Sequence, residues 1–468
     1  MDKEDSKKTT NSNIFPGDNE NSSMNGESPI ADVGFISEKI KQRPVNKKKL
    51  LRRTVITVTL AVVFGGVACL TFLLLEPLIN SKLYPDPDPT LVTFPEEVED
   101  DEMSPEDMYA DDAEIAADAA NIALSIEETE KDVIEQAISS YIFDSNDYSE
   151  MFTSLRQLAN SALTSTVTVT AVTSEYNWFN DPYSKSDSVS GLIVADNEVN
   201  TMILVSTSAI SKAQTIEVTF CNGTTLEANL QMSDDITGLS ILSIPDSDID
   251  DATSNAITIA SLGTSNYTSL AGMPVIAVGH PVGVDGSICY GSITSEKKTL
   301  DLADSSYKLL TTDIYGSSNG SGILINLNGQ VVGFITTAYN SEDNGNLLCA
   351  YGISELKSLI ADMSNQKNRP YLGIHGSTVT DYIQTTYDIP GGVYVTQVDM
   401  DSPAMRAGLQ SGDIIVGING EEIVSFDTLI SKLNDLEADS EITLAIKRSA
   451  SNEYIDLDAS VTLGSSTN

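Results

Sequence analysis

The chain has 468 residues, 41% of them hydrophobic, which leaves room for two to four domains with real cores. A formal net charge of -42 excludes nucleic acid as a partner, because phosphates would be repelled, and disfavours an anionic membrane surface wherever basic residues do not cluster. Four cysteines and two histidines form neither a disulfide framework nor a metal-ligand pattern, and no cofactor motif is present. Cys221, Cys289 and Cys349 read as small buried hydrophobes.

Residues 1–53 hold 11 of the 26 Lys and Arg but only 8 of the 68 Asp and Glu. Residues 1–45 are polar and poor in apolar side chains, the composition of a disordered tail. The basic run "NKKKLLRR" (Asn46–Arg53) then precedes Thr54–Leu75, 22 residues without a charge, which as a helix would reach about 33 Å. A signal peptide would have a shorter apolar region, begin near residue 1 and end at a small-residue cleavage site; here "LEPLINSKLYP" follows. The expectation is a transmembrane helix at 54–76, with the basic tail 1–53 cytoplasmic and the rest extracytoplasmic, as on a single-pass cell-membrane protein.

The segment 77–150 is acidic and punctuated by proline, so it reads as an extended, self-repelling spacer. From Ala113 its spacing turns helical, with Ile115, Ala119, Ile122 and Ile126. A second helix is expected over Asp147–Leu163, with Met151, Leu155 and Leu158 on one face. These helices suit a stalk or an oligomerising element, but no heptad repeat is sustained.

From "ALTSTVTVTAVTSE" to about Ser358 the chain becomes a series of short β-branched runs between turn signals, including the hairpin pairs Asn222–Gly223 and Asn328–Gly329. Many short strands over about 200 residues indicate barrels or a sandwich. The last hundred residues mix strands ("GGVYVTQV", "EITLAIKRS", "YIDLDASVTL"), a short helix ("SPAMRAG"), a hairpin ("GDIIVGING") and a helix with Phe426, Leu429, Ile430 and Leu433 on one side.

This order, together with "DSPAMRAGLQSGDIIVGINGEEI" (Asp401–Ile423), resembles the HtrA/Deg family of membrane-tethered trypsin-like serine proteases with a C-terminal PDZ domain. The resemblance implies a mostly β chain: a trypsin-like double β-barrel at 151–362, then an α+β PDZ domain at 368–464, after the transmembrane helix and the acidic, partly helical spacer. It also implies a homotrimer. By the same resemblance, Tyr371, Leu372, Gly373 and Ile374 form the loop whose backbone amides hold the terminal carboxylate of a peptide or protein tail. Leu429 and Leu433 either line its side-chain pocket or belong to the core.

Serine acyl transfer needs a hydroxyl, a base within hydrogen-bond reach, a carboxylate that orients the base, and an oxyanion hole. The family's histidine follows a strand like "MILVSTSAI", which puts Ser208 at its position; its aspartate precedes a strand like "TGLSILSI", which puts Gly238 there. The family's "GNSGGP" meets "TTDIYGSSNGSGILINLNGQVVG". Matching from downstream puts Gly320 at the nucleophile, and matching from upstream puts Ser321 there. Of the two histidines, His375 falls in the PDZ segment and His280 in a loop of the second barrel; Lys212, Lys297 and Lys298 show no dyad spacing. The sequence therefore favours a peptide-binding pseudoprotease in protein quality control, with a divergent serine endopeptidase using Ser321 as the alternative.

Overall fold

The computed structural model describes residues 47–83, 89–95, 143–176, 182–266, 269–339, 346–450 and 453–467. The polar tail at 1–45 and the helical pattern expected from Ala113 lie outside the described residues. The chain divides into two compact units, Met1–Pro85 and Asp86–Asn468.

The first unit contains helix α1 (Lys47–Leu83). Its stretch Leu51–Thr71 has a mean hydropathy of 2.1 and is long and apolar enough to cross a membrane. Thr57, Thr59 and Thr71 fold their hydroxyls back onto carbonyls one turn earlier, so these polar groups do not interrupt the apolar surface.

In the second unit, helix α2 (Ser145–Leu163) begins at a reciprocal cap. The Asp144 carboxylate accepts from the N–H groups of Asn146 and Asp147, and Asp147 accepts from the Asp144 N–H at 2.7 Å. Its Ala159 and Ala162 are buried against the β body, so this helix belongs to the folded unit and is not a free stalk. Part of the expected spacer is also pinned: Asn365 brackets Val92 with two hydrogen bonds, 2.9 and 2.7 Å, and Thr90 donates to the Asn197 carbonyl.

Two closed barrels follow, as the short-strand texture predicts. The first consists of β1 (Thr166–Tyr176), β2 (Pro182–Asp196), β3 (Asn200–Ser206), β4 (Thr215–Thr219), β5 (Thr225–Asp234) and β6 (Leu239–Pro245), closed in the order β1-β2-β3-β6-β5-β4. A one-turn helix α3 (Thr207–Ile210) follows β3, and α4 (Asp251–Ser254) follows β6. The second barrel consists of β7 (Pro274–His280), β8 (Ser287–Leu302), β9 (Ser305–Tyr315), β10 (Ser321–Ile325), β11 (Val331–Thr336) and β12 (Leu347–Gly352), closed as β10-β11-β12-β9-β8-β7. Both Asn-Gly pairs turn hairpins, β4–β5 and β10–β11, with Gly223 and Gly329 at positive φ. Closure leaves neither barrel a free edge. Tyr351 ties the barrels together: its buried hydroxyl donates to the Thr237 carbonyl at 2.8 Å.

Helix α5 (Ile353–Ser364) leads out of the second barrel and buries Ile353, Leu356, Leu359, Ile360 and Met363, an i, i+3, i+4 set. The C-terminal α+β module consists of β13 (Pro370–Tyr371), β14 (Ile374–Thr378), α6 (Asp381–Tyr387), β15 (Val393–Val398), α7 (Pro403–Arg406), β16 (Ile414–Ile418), β17 (Glu421–Glu422), α8 (Phe426–Asn434), β18 (Glu441–Ala450), β19 (Glu453–Thr462) and β20 (Gly464–Ser465). Its main sheet runs β14-β15-β16-β18-β19, which puts β14 at one edge. One cysteine departs from expectation. Cys349 is buried and Cys289 half-buried, but Cys221 is exposed in the β4–β5 turn, where its thiol donates to the Ala256 carbonyl at 3.3 Å.

Candidate functional site: the inter-barrel cleft and the PDZ loop

The segments bearing Ser208 and Gly238 are brought together. Strands β3 and β6 pair up to Ser206 opposite Leu239, and the Thr207 N–H donates to the Gly238 carbonyl at 2.8 Å. What occupies this corner is hydroxyl groups. The Ser208 Oγ lies 3.0 Å from the Ser206 Oγ, and Thr207, Ser240 and Ser233 form a hydroxyl chain with spacings of 2.7 and 2.8 Å. A buried carboxylate in the same turn, Asp234, is engaged by the Thr237 N–H and hydroxyl at 2.8 and 2.6 Å.

Ser321 opens β10 at the barrel contact. It is 9% exposed, and its Oγ accepts a hydrogen bond from the Ser190 N–H of β2 at 2.9 Å. In register it stands opposite His280 of β7. The His280 ring, however, turns its Nδ1 to Asp285 at 2.7 Å, and among the described residues no hydrogen bond joins it to Ser321. Lys212, Lys297 and Lys298 are exposed and make no bond to Ser321 among the described residues.

The loop before Ser321 folds on itself. The Ser317 N–H donates to the Pro281 carbonyl at 2.9 Å, the Asn319 N–H to the Ser317 Oγ at 3.3 Å, and the Gly320 N–H to the Ser317 carbonyl at 2.9 Å. A Cβ at position 320 would stand 2.8 Å from the Pro281 carbonyl oxygen and 3.0 Å from that of Ser317. Gly320 is thus walled in by backbone on both sides, and its N–H is spent within the turn.

The second candidate region is the loop Tyr371–Ile374. Gly373 has φ +85°, open to glycine and strained for other residues, and the turn points three successive N–H groups at one place. That place holds a carboxylate. Leu372 and Gly373 both donate to Asp304 Oδ2 at 2.7 Å, and Ile374 donates to Oδ1 at 3.1 Å. Asp304 lies in the β8–β9 turn, and its own N–H donates to the Ile374 carbonyl at 2.8 Å. Beside it, Tyr371 donates to Asp399 at 2.9 Å and His375 Nε2 pairs with Asp399 at 3.0 Å. Leu429 and Leu433 lie in the module's core with Leu372 and Ile374, at 0% and 2% exposure. Sequence reasoning missed Asp304. "LADSS" between two strands carries only a turn signal, and the partner loop is 68 residues away.

Two closed six-stranded barrels followed by this module define a trypsin-like protease fold carrying a PDZ domain. Comparison with known proteins agrees: residues 189–334 match a trypsin-like peptidase domain and residues 370–459 a PDZ domain. The chain is 28% identical over 278 residues to the serine protease Do-like HtrB of Bacillus subtilis, covering 55% of this chain and 59% of that protein. It is 26% identical over 280 residues to the periplasmic serine endoprotease DegP of Escherichia coli, covering 58% and 55%. The match thus spans less than two thirds of the length of these curated relatives. The solved structure of the HtrA-type protease AlgW with a decapeptide shares the fold, with a TM-score of 0.50 at 19% identity over 66% of this chain and 98% of that one. In both domains the chain is similar to HtrA-type serine proteases.

Proposed function

We propose that the protein is a membrane-anchored, extracytoplasmic pseudoprotease, which recognises peptides, protein C-termini or unfolded segments through its PDZ domain and serves as a sensor, scaffold or chaperone in protein quality control. The hydrophobic stretch of α1 supports the anchor, and the basic run before it supports a cytoplasmic N-terminus. The family resemblance supports a homotrimer.

The observation that carries the non-hydrolytic reading is the 317–320 turn. Three of its N–H groups are committed to acceptors inside the protein, so they are not available to a developing oxyanion. With Ser208 and Gly238 at the positions that the resemblance gives the family's base and acid, the hydroxyl at 321 has no hydrogen-bonded base among the described residues. Peptide capture rests on the edge strand β14 and on a loop whose amides already hold a carboxylate. In this reading Leu429 and Leu433 form the floor beneath the ligand's last side chain.

One observation favours a second reading, a divergent endopeptidase using Ser321. His280 is its register partner, and its imidazole is oriented by Asp285, the arrangement of a carboxylate-held base. A single experiment separates the two. The outer region is incubated with an unfolded casein-type substrate and with a fluorophosphonate probe. Neither cleavage nor labelling is expected. Labelling of Ser321 that disappears in Ser321→Ala and in His280→Ala would reassign the protein as a peptidase.

A further inference from the structure

The carboxylate loop of the PDZ domain is not vacant. All three of its converging N–H groups close on one side chain, Asp304, supplied by the second barrel. The contact resembles ligand binding in two further ways. The Asp304 N–H bonds to the Ile374 carbonyl, the first rung along the edge strand β14, where an added strand would begin. Ala303, the residue before it, is buried as well. Ordinary packing between two domains has no reason to aim a single carboxylate at three successive amides, or to hold it at 9% exposure with no basic partner among the described residues. The turn that presents it is itself constrained, since Asp304 adopts φ +53° at the tip of the long β8–β9 hairpin.

We propose that the β8–β9 turn is an intramolecular ligand of the PDZ domain: Asp304 occupies the seat of a chain-terminal carboxylate, and an external C-terminus enters by displacing it. The second half rests on the peptide-capture reading above; the first does not. A tethered ligand competes at an effective concentration on the order of millimolar, so an external tail meets a site already filled and binds weakly until the turn withdraws. Release is feasible because the buried carboxylate is held by backbone amides, while Asp399 stands nearby with the same charge. The chemistry selects the competitor: a free carboxylate following an apolar residue.

The test uses the full chain in detergent and two variants. Asp304→Asn tolerates the positive φ but replaces one accepting oxygen with an NH2 that meets a loop amide donor to donor; Asp304→Ala removes both acceptors. The probe is a short fluorescein-labelled peptide ending in a free Leu carboxylate, with the same peptide amidated at its C-terminus as control. Affinity is read by anisotropy, and hydrogen exchange is followed at the amides of Leu372, Gly373 and Ile374. Both variants are expected to bind the carboxylate peptide roughly tenfold or more tightly than the unaltered chain, and to exchange these amides roughly tenfold faster. The amidated peptide is expected not to bind. Unchanged exchange would overturn the proposal outright. Faster exchange with equal peptide affinity in all three proteins would overturn the competition and leave peptide capture standing. Faster exchange with no peptide binding in any form would uphold the intramolecular contact and remove the peptide-capture reading.

Discussion

Burial lifts the Asp304 carboxyl from its ordinary 3.8 to about 6, because desolvation outweighs the hydrogen bonds from Gly373, Ile374 and Leu372, and Asp399 adds repulsion. The docked turn therefore holds its proton more tightly than a released one would. A group whose pKa rises on docking stabilises the docked state fully below the free value near 3.8, and that contribution is lost as pH rises to the docked value near 6. Accordingly, the 372–374 amides, after correction for intrinsic exchange, are expected to lose protection between pH 4 and pH 6 (about the two limits just given) and to level off above. Asp304→Asn is expected to flatten that profile. Asp399 is the charged group that acts on this carboxyl, Tyr371 is raised in turn by Asp304, and His375 bonds the same Asp399 at 3.0 Å. His375→Gln is the control for titration of the imidazole, and a profile that persisted in Asp304→Asn but vanished in His375→Gln would transfer the effect to the histidine.

At the scale of the element, the 317–320 turn decides what a triad placed at the aligned positions could do. Ser208→His and Gly238→Asp meet open surroundings: Ser208 is exposed, and a Cβ at 238 has nothing within 4 Å. Gly238 has φ +69°, a value aspartate tolerates better than most residues. Gly320→Ser is different, because its Cβ would press on the carbonyls of Pro281 and Ser317. That overpacking is expected to cost about 1–3 kcal/mol, lowering the urea midpoint of the triple variant. The triple variant is also expected to remain unlabelled by a fluorophosphonate probe, because the turn's N–H groups stay committed. Strong labelling would show that the committed turn does not block attack at the triad positions. The same turn shows what a sequence can convey. The strands around it were legible from β-branched alternation and Asn-Gly pairs, because those signals are local. Helix α2 was legible from the spacing of Met151, Leu155 and Leu158. Helix α5 carries an equally regular set but follows directly on β12, so its periodicity is lost in the strand's apolar run. The choice between Gly320 and Ser321 depends on backbone carbonyls from Pro281 and on the Ser190 amide, groups that every sequence contains and none announces. The Asp304 contact is of the same kind, since amides of Leu372–Ile374 have no sequence signature beyond Gly373.

Across the whole second unit, the PDZ domain is fastened at more than the carboxylate loop. Arg369 lies at the domain junction with a 12% exposed side chain, its Nε 3.2 Å from Asp362 of α5 and one terminal nitrogen donating to Asn434 of α8 at 2.9 Å. Strand β20 pairs with β13, and beyond it the Ser466 carbonyl accepts from the Asp235 N–H of the first barrel. Release of Asp304 alone should therefore uncover the loop without swinging the domain away, because Arg369 and the β20 segment still hold it. Breaking the Arg369 pair leaves Asp362 with the more exposed Lys367, 3.4 Å away, and removes the donor to Asn434, so the junction loses its link between α5 and α8. Small-angle scattering of the outer region is expected to give the same radius of gyration for Asp304→Asn as for the unaltered protein, and a larger one for Asp304→Asn combined with Arg369→Ala. A larger radius in Asp304→Asn alone would mean that one carboxylate on three amides is the principal fastening, and that any C-terminus able to displace it would move the whole domain.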